Sequence, residues 1–462
     1  MSKDVSILWL RRDLRLSDHP ALCAAAEAGA VVPVFIRSAW VDDLGSAARW
    51  RLGLSLDALA GELEDRGSRL ILRAGPPREV LEALIEETGA TSVHWTRLYD
   101  GESQERDAEI KSALKDQDIA VESHPGHVLF EPWTVETGSG SYYKVYTPYR
   151  KAVEDRDIPE PLDIPDLAAP GKWPESDSLS DWNLSADMNR GAEVVAGHVS
   201  AGPRAAVGRM GAFMRNGIVD YDDERDRPDH DGTSKLSEYF AWGELGIRQA
   251  WHASKPHTGQ GAQTFRQELI WRDFAWHLIY HTPQIEERNW REKWDDFPWR
   301  DDNEDAERWR RGMTGEPIVD AGMRQLYVTG WMHNRVRMIV ASYLTKHLMT
   351  HWKVGLDWFA ECLVDHDPAS NAMGWQWSAG SGPDATPFFR VFNPATQAEK
   401  FDPDGSYRDN WLRPETYKDA ASFFQAIPRS WGMSADDPYP DPLVDLKEGR
   451  ERALDAYGEF KD

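Results

Sequence analysis

At 462 residues the chain exceeds what one hydrophobic core usually organises, so two or three domains are expected. No apolar run is long enough to cross a membrane, no secretory leader is visible, and Cys23 and Cys362 are too few and too far apart for a disulfide framework or a thiolate zinc site, which together point to the cytoplasm. A formal net charge of −25 argues against a nucleic-acid partner unless Lys and Arg are gathered on one face.

Taken in order, VSILWL (5–10), VVPVFI (31–36), RLILR (69–73), SVHW (92–95) and AVES (120–123) read as strands. Helix-like segments at 20–29, 47–66, 77–88 and 103–117 separate them. That alternation predicts an α/β domain with a doubly wound parallel sheet over residues 1–130. The first strand runs into Arg11-Arg12-Asp13 and not into a GxGxxG turn, so the dinucleotide fingerprint is absent. Such sheets take ligands beyond the carboxyl ends of their strands, which leaves room there for a chromophore. Residues 131–195 lose periodicity. Pro159, Pro161, Pro165, Pro170 and Pro174 mark an extended linker, in which YYKVYTPYRKA (142–152) is the one ordered-looking piece. From 196 to 462 strand patterns vanish and a large all-α domain is predicted, with helices at 203–217, 235–252, 263–280, 304–312, 319–328, 331–350 and 355–364.

Four groups of residues in the helical part carry chemistry. Thr233, Ser234, Lys235, Leu236 and Ser237 resemble a helix start, where free N–H groups, hydroxyls and an ammonium hold phosphates, although most such caps bind nothing. Glu268, Trp271, Arg272 and Ala275 share one helical face, as do Trp331, Asn334, Arg335 and Met338. A Glu beside a Trp can hydrogen-bond and stack a pyrimidine, and an Arg can hold a phosphate; a surface helix with a half-buried Trp reads the same way. The turn Asp365-His366-Asp367-Pro368, followed by Asn371, Trp375 and Trp377, suggests a pocket for a flat, polar-edged, anionic ligand, or else an ordinary core with a satisfied Asp turn. Arg337 and Asp365 are expected to pair, and no metal is expected at Asp365 or Asp367, because no His or Glu stands at a useful spacing.

Several of these stretches, WLRRDLRLSDHPAL (9–22), TSKLS, QELIWRDF (267–274), WMHNRVRM (331–338), DHDPASNAMGWQW (365–377) and FRVFNPATQAEKFDPDG (389–405), resemble the DNA photolyase and cryptochrome family in the family's order. The resemblance implies a C-terminal FAD-binding catalytic domain and light-driven repair of cyclobutane pyrimidine dimers in UV-damaged DNA by a monomer. The family's other branch is a cryptochrome photoreceptor that signals through a partner. By the same resemblance Tyr221, Thr233 to Ser237, Arg337, Asp365, Asp367 and Asn371 hold FAD, with Asn371 facing flavin N5; plant cryptochromes carry Asp there. Arg225, Glu268, Trp271, Arg272, Asn334, Arg335, Met338, Trp377 and Gln397 match contacts to DNA, and Trp299, Trp352 and Trp375 match an electron relay. Segments 44–59, 92–101 and 142–152 resemble the bacterial class III branch, which implies methenyltetrahydrofolate as antenna, with a deazaflavin the alternative. The Asn-Glu pair of other folate-binding members is missing; Glu102-Ser103 stands near that position. Given the charge, Arg225, Arg272, Arg335 and Lys400 are expected to form a basic strip at the pocket mouth.

Overall fold

Runs rich in β-branched residues that are apolar on both sides form the interior strands of a sheet covered on both faces. β1 (Val5–Leu10), β2 (Ala30–Arg37), β3 (Ile71–Ala74), β4 (Ala90–Thr96) and β5 (Ala120–His124) pair in the order β3-β2-β1-β4-β5, all parallel. The computed structural model describes residues 4–188, 191–384 and 389–461. Alternate side chains of β1 enter different cores. Leu8 and Leu10 meet α1 (Pro20–Ala28) and α2 (Ser46–Glu64), whereas Ile7 and Trp9 meet α3 (Pro77–Thr88) and α4 (Gly101–Lys115). The sheet is therefore doubly wound, as the alternation predicted.

The loop after β1 is a joint between the sheet and the helices. Arg12 donates to the carbonyls of Ala241 (3.0 Å) and His366 (3.2 Å), and Arg15 to that of Gly243 (3.0 Å). A Cβ at Gly243 would lie 2.1 Å from the Arg12 carbonyl oxygen, so only glycine permits this approach. The connector contributes α5 (Tyr146–Val153), which buries Tyr146, Tyr149 and Val153 against α6 (Pro203–Asn216) and α7 (Gln260–His281). A second helical core surrounds α8 (Pro317–Thr329), α9 (Asn334–Ser342), α10 (Trp352–Cys362) and α11 (Pro368–Ala379). α12 (Pro394–Phe401) and α13 (Leu446–Lys461) flank it.

Two predicted helices are interrupted. The segment 331–350 begins only at Asn334, because Gly330 ends α8 at φ 69° and His333 caps α9 through its ring nitrogen. Trp331 therefore stands outside the helix and does not share the face of Asn334, Arg335 and Met338 by helical periodicity. The segment 235–252 splits at Gly243 (φ 66°) into Ser237–Ala241 and Ile247–Ser254.

Candidate functional site

Between the two helical cores lies a cavity of about 710 Å³. Its floor is α11. Asp367 caps that helix, accepting from Ser370 N (2.8 Å) with one oxygen and from Trp276 Nε1 (3.0 Å) with the other, and Pro368 fits the first turn. Asn371, Gly374, Trp375 and Trp377 then face the cavity. Asn371 donates to the Leu356 carbonyl of α10 (3.1 Å), which fixes the amide. The expected Arg337–Asp365 pair is present at 2.7 Å, and Arg337 Nε also donates to Met332 O (2.8 Å). The second oxygen of Asp365 is buried without a partner, as is the indole nitrogen of Trp375. His366 turns away into the domain joint, where burial and then the Arg12 charge hold its imidazole at about 4.

At the other end, all five residues from Thr233 to Ser237 line the cavity, with Tyr221 beside them. Thr233 and Ser234 do not cap a helix: the cap position is Leu236, and the helix that follows has five residues. Arg209 instead holds the segment, donating to Ser234 O (2.8 Å) and Thr233 O (2.9 Å), while Lys235 takes a left-handed conformation and pairs with Asp231 at 2.7 Å.

The mouth is formed by α7 and α9. Glu268, Trp271 and Arg272 all line it, but Ala275 faces another core. The Trp271 ring stacks on Tyr146 of α5 at 3.5 Å and 9°. Tyr146 is held in turn by its hydroxyl, which donates to Gln267 O (2.9 Å), a partner that residue spacing gave no reason to suspect. Asn334, Arg335, Met338 and Trp377 complete the rim. Gln397 lies on α12 outside the cavity lining. The expected basic strip is not bare. Arg225 pairs with Glu268 and Arg335 with Asp226. Arg272 turns inward, donating to His127 O (2.7 Å), with Asp367 at 3.8 Å, so its guanidinium is not offered to a phosphate. Lys400 sits over the Phe401 ring.

The three tryptophans expected to form a relay, Trp375, Trp352 and Trp299, lie along and beside α10. Trp375 presses against Gly355, where a Cβ would come within 2.0 Å of its ring, and Gly355 lies one helical turn from Trp352. Trp352 is fully buried and donates to Asn289 Oδ1 (2.8 Å). The His351 ring bridges Trp352 (5.3 Å) and the half-buried Trp299 (5.8 Å). At the far end of α11, Lys346 is wholly buried. Its ammonium donates to Ser378 O (2.6 Å) and Ala379 O (2.7 Å), and burial pulls its pKa well down.

Comparison with known proteins agrees with this arrangement. Residues 6–166 match the sequence model for DNA photolyase, and residues 265–459 that for the FAD binding domain of DNA photolyase. The chain is 45% identical to the deoxyribodipyrimidine photo-lyase of Agrobacterium fabrum, with 98% of each covered. It is 37% identical to that of Halobacterium salinarum, with 97% of this chain and 98% of the relative covered. The crystal structure of a bacterial class III photolyase from Agrobacterium tumefaciens superposes with a TM-score of 0.92 at 44% identity, covering 100% of this chain and 98% of the other. The cavity fits FAD on its own evidence, being large enough, polar at the Thr233–Ser237 end and furnished with the unpartnered Asp365 oxygen and Trp375 nitrogen where a ring with polar edges would lie. With relatives of this identity along its whole length and both family models matched, the chain belongs to the DNA photolyase family.

Proposed function

We propose that this protein splits cyclobutane pyrimidine dimers in UV-damaged DNA under blue light, a carbon–carbon lyase reaction. One observation carries the reading: a single cavity joins the Arg337–Asp365 pair and Asn371 at its floor to Glu268, Trp271 and Trp377 at its mouth. When bound, FAD supplies the photoexcited electron that opens the dimer ring and receives it back. The chain's residues bind, orient and insulate. The Arg337–Asp365 pair and the Asn371 amide set the polar contacts of the flavin ring, and Thr233 to Ser237 with Tyr221 take the rest of the cofactor. A dimer stacks poorly in the duplex, so extruding it costs less than extruding an intact pair. Trp271, backed by Tyr146, and Trp377 offer aromatic faces to it, and Glu268 offers a carboxylate to its polar edge once Arg225 turns to a phosphate. Arg335, Asn334, Met338 and Gln397 complete the DNA contacts, and Trp299, Trp352 and Trp375 carry electrons inward to regenerate the reduced cofactor.

No histidine lines the cavity among the described residues. Asn334 does not titrate near neutral pH, and the Met338 thioether is a weak acceptor, so neither serves as a general acid. His333 is withdrawn into the α9 cap, where its Nδ1 accepts from Arg335 N (3.1 Å). Cyclobutane dimers, which need no proton donor, are therefore the substrate, and (6-4) photoproducts are not. For the antenna, methenyltetrahydrofolate is the proposal and a deazaflavin the alternative. The segments behind it contact different helices: Tyr99 and Tyr142 both reach α7, whereas Ser46 of the 44–59 segment bonds to Glu361 of α10. A near-UV folate band in the native holoprotein would support the first, and a blue deazaflavin band the second. Chromatography of both lesion types after illumination tests the substrate. Loss of cyclobutane dimers alone is expected, and efficient loss of (6-4) lesions would refute the assignment.

A further inference from the structure

Outside the cavity, one cluster of ligand-type side chains has no part in light chemistry or DNA contact. His94 stands on β4, and Glu122 and His124 stand two residues apart on β5. The parallel register pairs His94 with Glu122, so the two-residue period brings all three side chains to one face, the one that α1 covers. β5 is an edge strand, so the cluster lies at the rim of the sheet, open on one side.

From this geometry we propose that His94, Glu122 and His124 form a zinc site that clamps the edge strand to its neighbour. Nδ1 of His94 and Nε2 of His124 are 3.1 Å apart. Two nitrogens bound to one tetrahedral zinc at about 2.0–2.1 Å are separated by roughly 3.4 Å, so a few tenths of an ångström admit the ion. The Glu122 carboxylate is 4.0 Å from His124 Nε2, and its side chain, 67% exposed, is free to swing in. The ligand atoms of all three residues lie within 4.8 Å of one another. His94 is 5% exposed and its Nε2 has no partner, so nothing in the protein fixes which of its nitrogens carries the proton. Two imidazoles and a carboxylate, with a fourth position open to water, suit zinc better than calcium or magnesium, which prefer oxygen. The metal questions raised by the sequence concerned the two cysteines and the pair Asp365 and Asp367. This cluster escapes spacing rules because His94 is 28 residues from Glu122 and meets it only across the sheet.

The test is zinc titration of the full-length, chelator-stripped holoprotein by calorimetry, with cobalt substituted to read coordination from its visible spectrum. One zinc per chain is expected, with a four-coordinate cobalt spectrum. His124→Asn should weaken the site by at least about tenfold, and Glu122→Gln by a similar or smaller factor. Both changes sit on the edge strand, and unchanged melting of the metal-free variants reports that the fold is kept. Absence of a stoichiometric phase would overturn the proposal and leave a plain hydrogen-bonded histidine pair. So would a stoichiometric phase that survives the double variant.

Discussion

The floor and the mouth of the cavity are held by different forces. Around α10 and α11, tight packing does most of the work, Trp375 against Gly355 and Trp352 sealed inside, joined by the Arg337–Asp365 pair, whose carboxylate is buried and so little screened. At the rim, half-exposed side chains are held by ion pairs, Arg225 with Glu268 and Arg335 with Asp226. Packed contacts are indifferent to salt, whereas surface pairs are screened and exchangeable. Cofactor chemistry should thus survive changes that alter DNA binding, and the reverse. In a chain of net charge −25, self-pairing of the rim cations also means that DNA must displace local carboxylates to reach them.

The sharpest separation comes from the relay. Trp299→Phe should abolish photoreduction of oxidised flavin while leaving affinity for damaged DNA unchanged, as read by transient absorption and by titration. An unchanged tryptophan-radical yield would remove Trp299 from the relay.

His333 links the two regions, because it caps the helix that carries both Arg335 and Arg337. Burial, acting chiefly by desolvation, lowers its pKa from 6.5 to about 4. A lowered pKa means the fold favours the neutral ring, so this contribution is present above pH 6.5 and lost as pH falls towards 4. A shift of that size corresponds to about 3 kcal/mol. His333→Asn keeps a cap acceptor that does not titrate, so between pH 7 and 4 it should lose about that much less stability than the parent in urea unfolding. Parallel pH profiles would remove His333 from the acid response.

At the rim, Trp271→Ala should weaken binding of dimer-containing DNA by roughly tenfold or more. Tyr146→Ala should weaken it by roughly three- to tenfold, through loss of the stacked backing alone. Flavin content should be unchanged in both. Equal binding by Tyr146→Ala and parent would show that Trp271 needs no support. The smallest effect is expected from Asp226→Asn, which frees Arg335. Affinity should rise about two- to fivefold at low salt, and the log–log salt slope should steepen by about one. A fall in affinity would mean that the Arg335–Asp226 pair is itself the docking geometry.

Most of this architecture was legible because it is periodic. The β-strands and the helices of the first domain follow from alternation of apolar runs, and α7 from its 3.6-residue repeat. Periodicity misled at Trp331, where the i, i+3, i+4, i+7 pattern ran across a break; Gly330 was the available signal, since histidine at 333 is not a usual cap residue. It was silent on Tyr146, which lies 125 residues from Trp271, and on the carboxylates that claim the rim arginines. Arg12 shows the same limit. Its place after the first strand gave no role, whereas it braces the His366 carbonyl between Asp365 and Asp367. Residue types and local spacing name the groups that do chemistry, but the contacts that aim them are long-range and leave no repeat to read.

The most direct test of the account is repair itself, measured on an oligonucleotide with a single cyclobutane thymine dimer, using pre-reduced protein of both parent and Trp299→Phe, in blue light and in the dark. The account predicts that both proteins remove the dimer in the light at similar rates and that neither does so in the dark. Persistence of the dimer under light with the parent protein, or its removal in darkness, would contradict it.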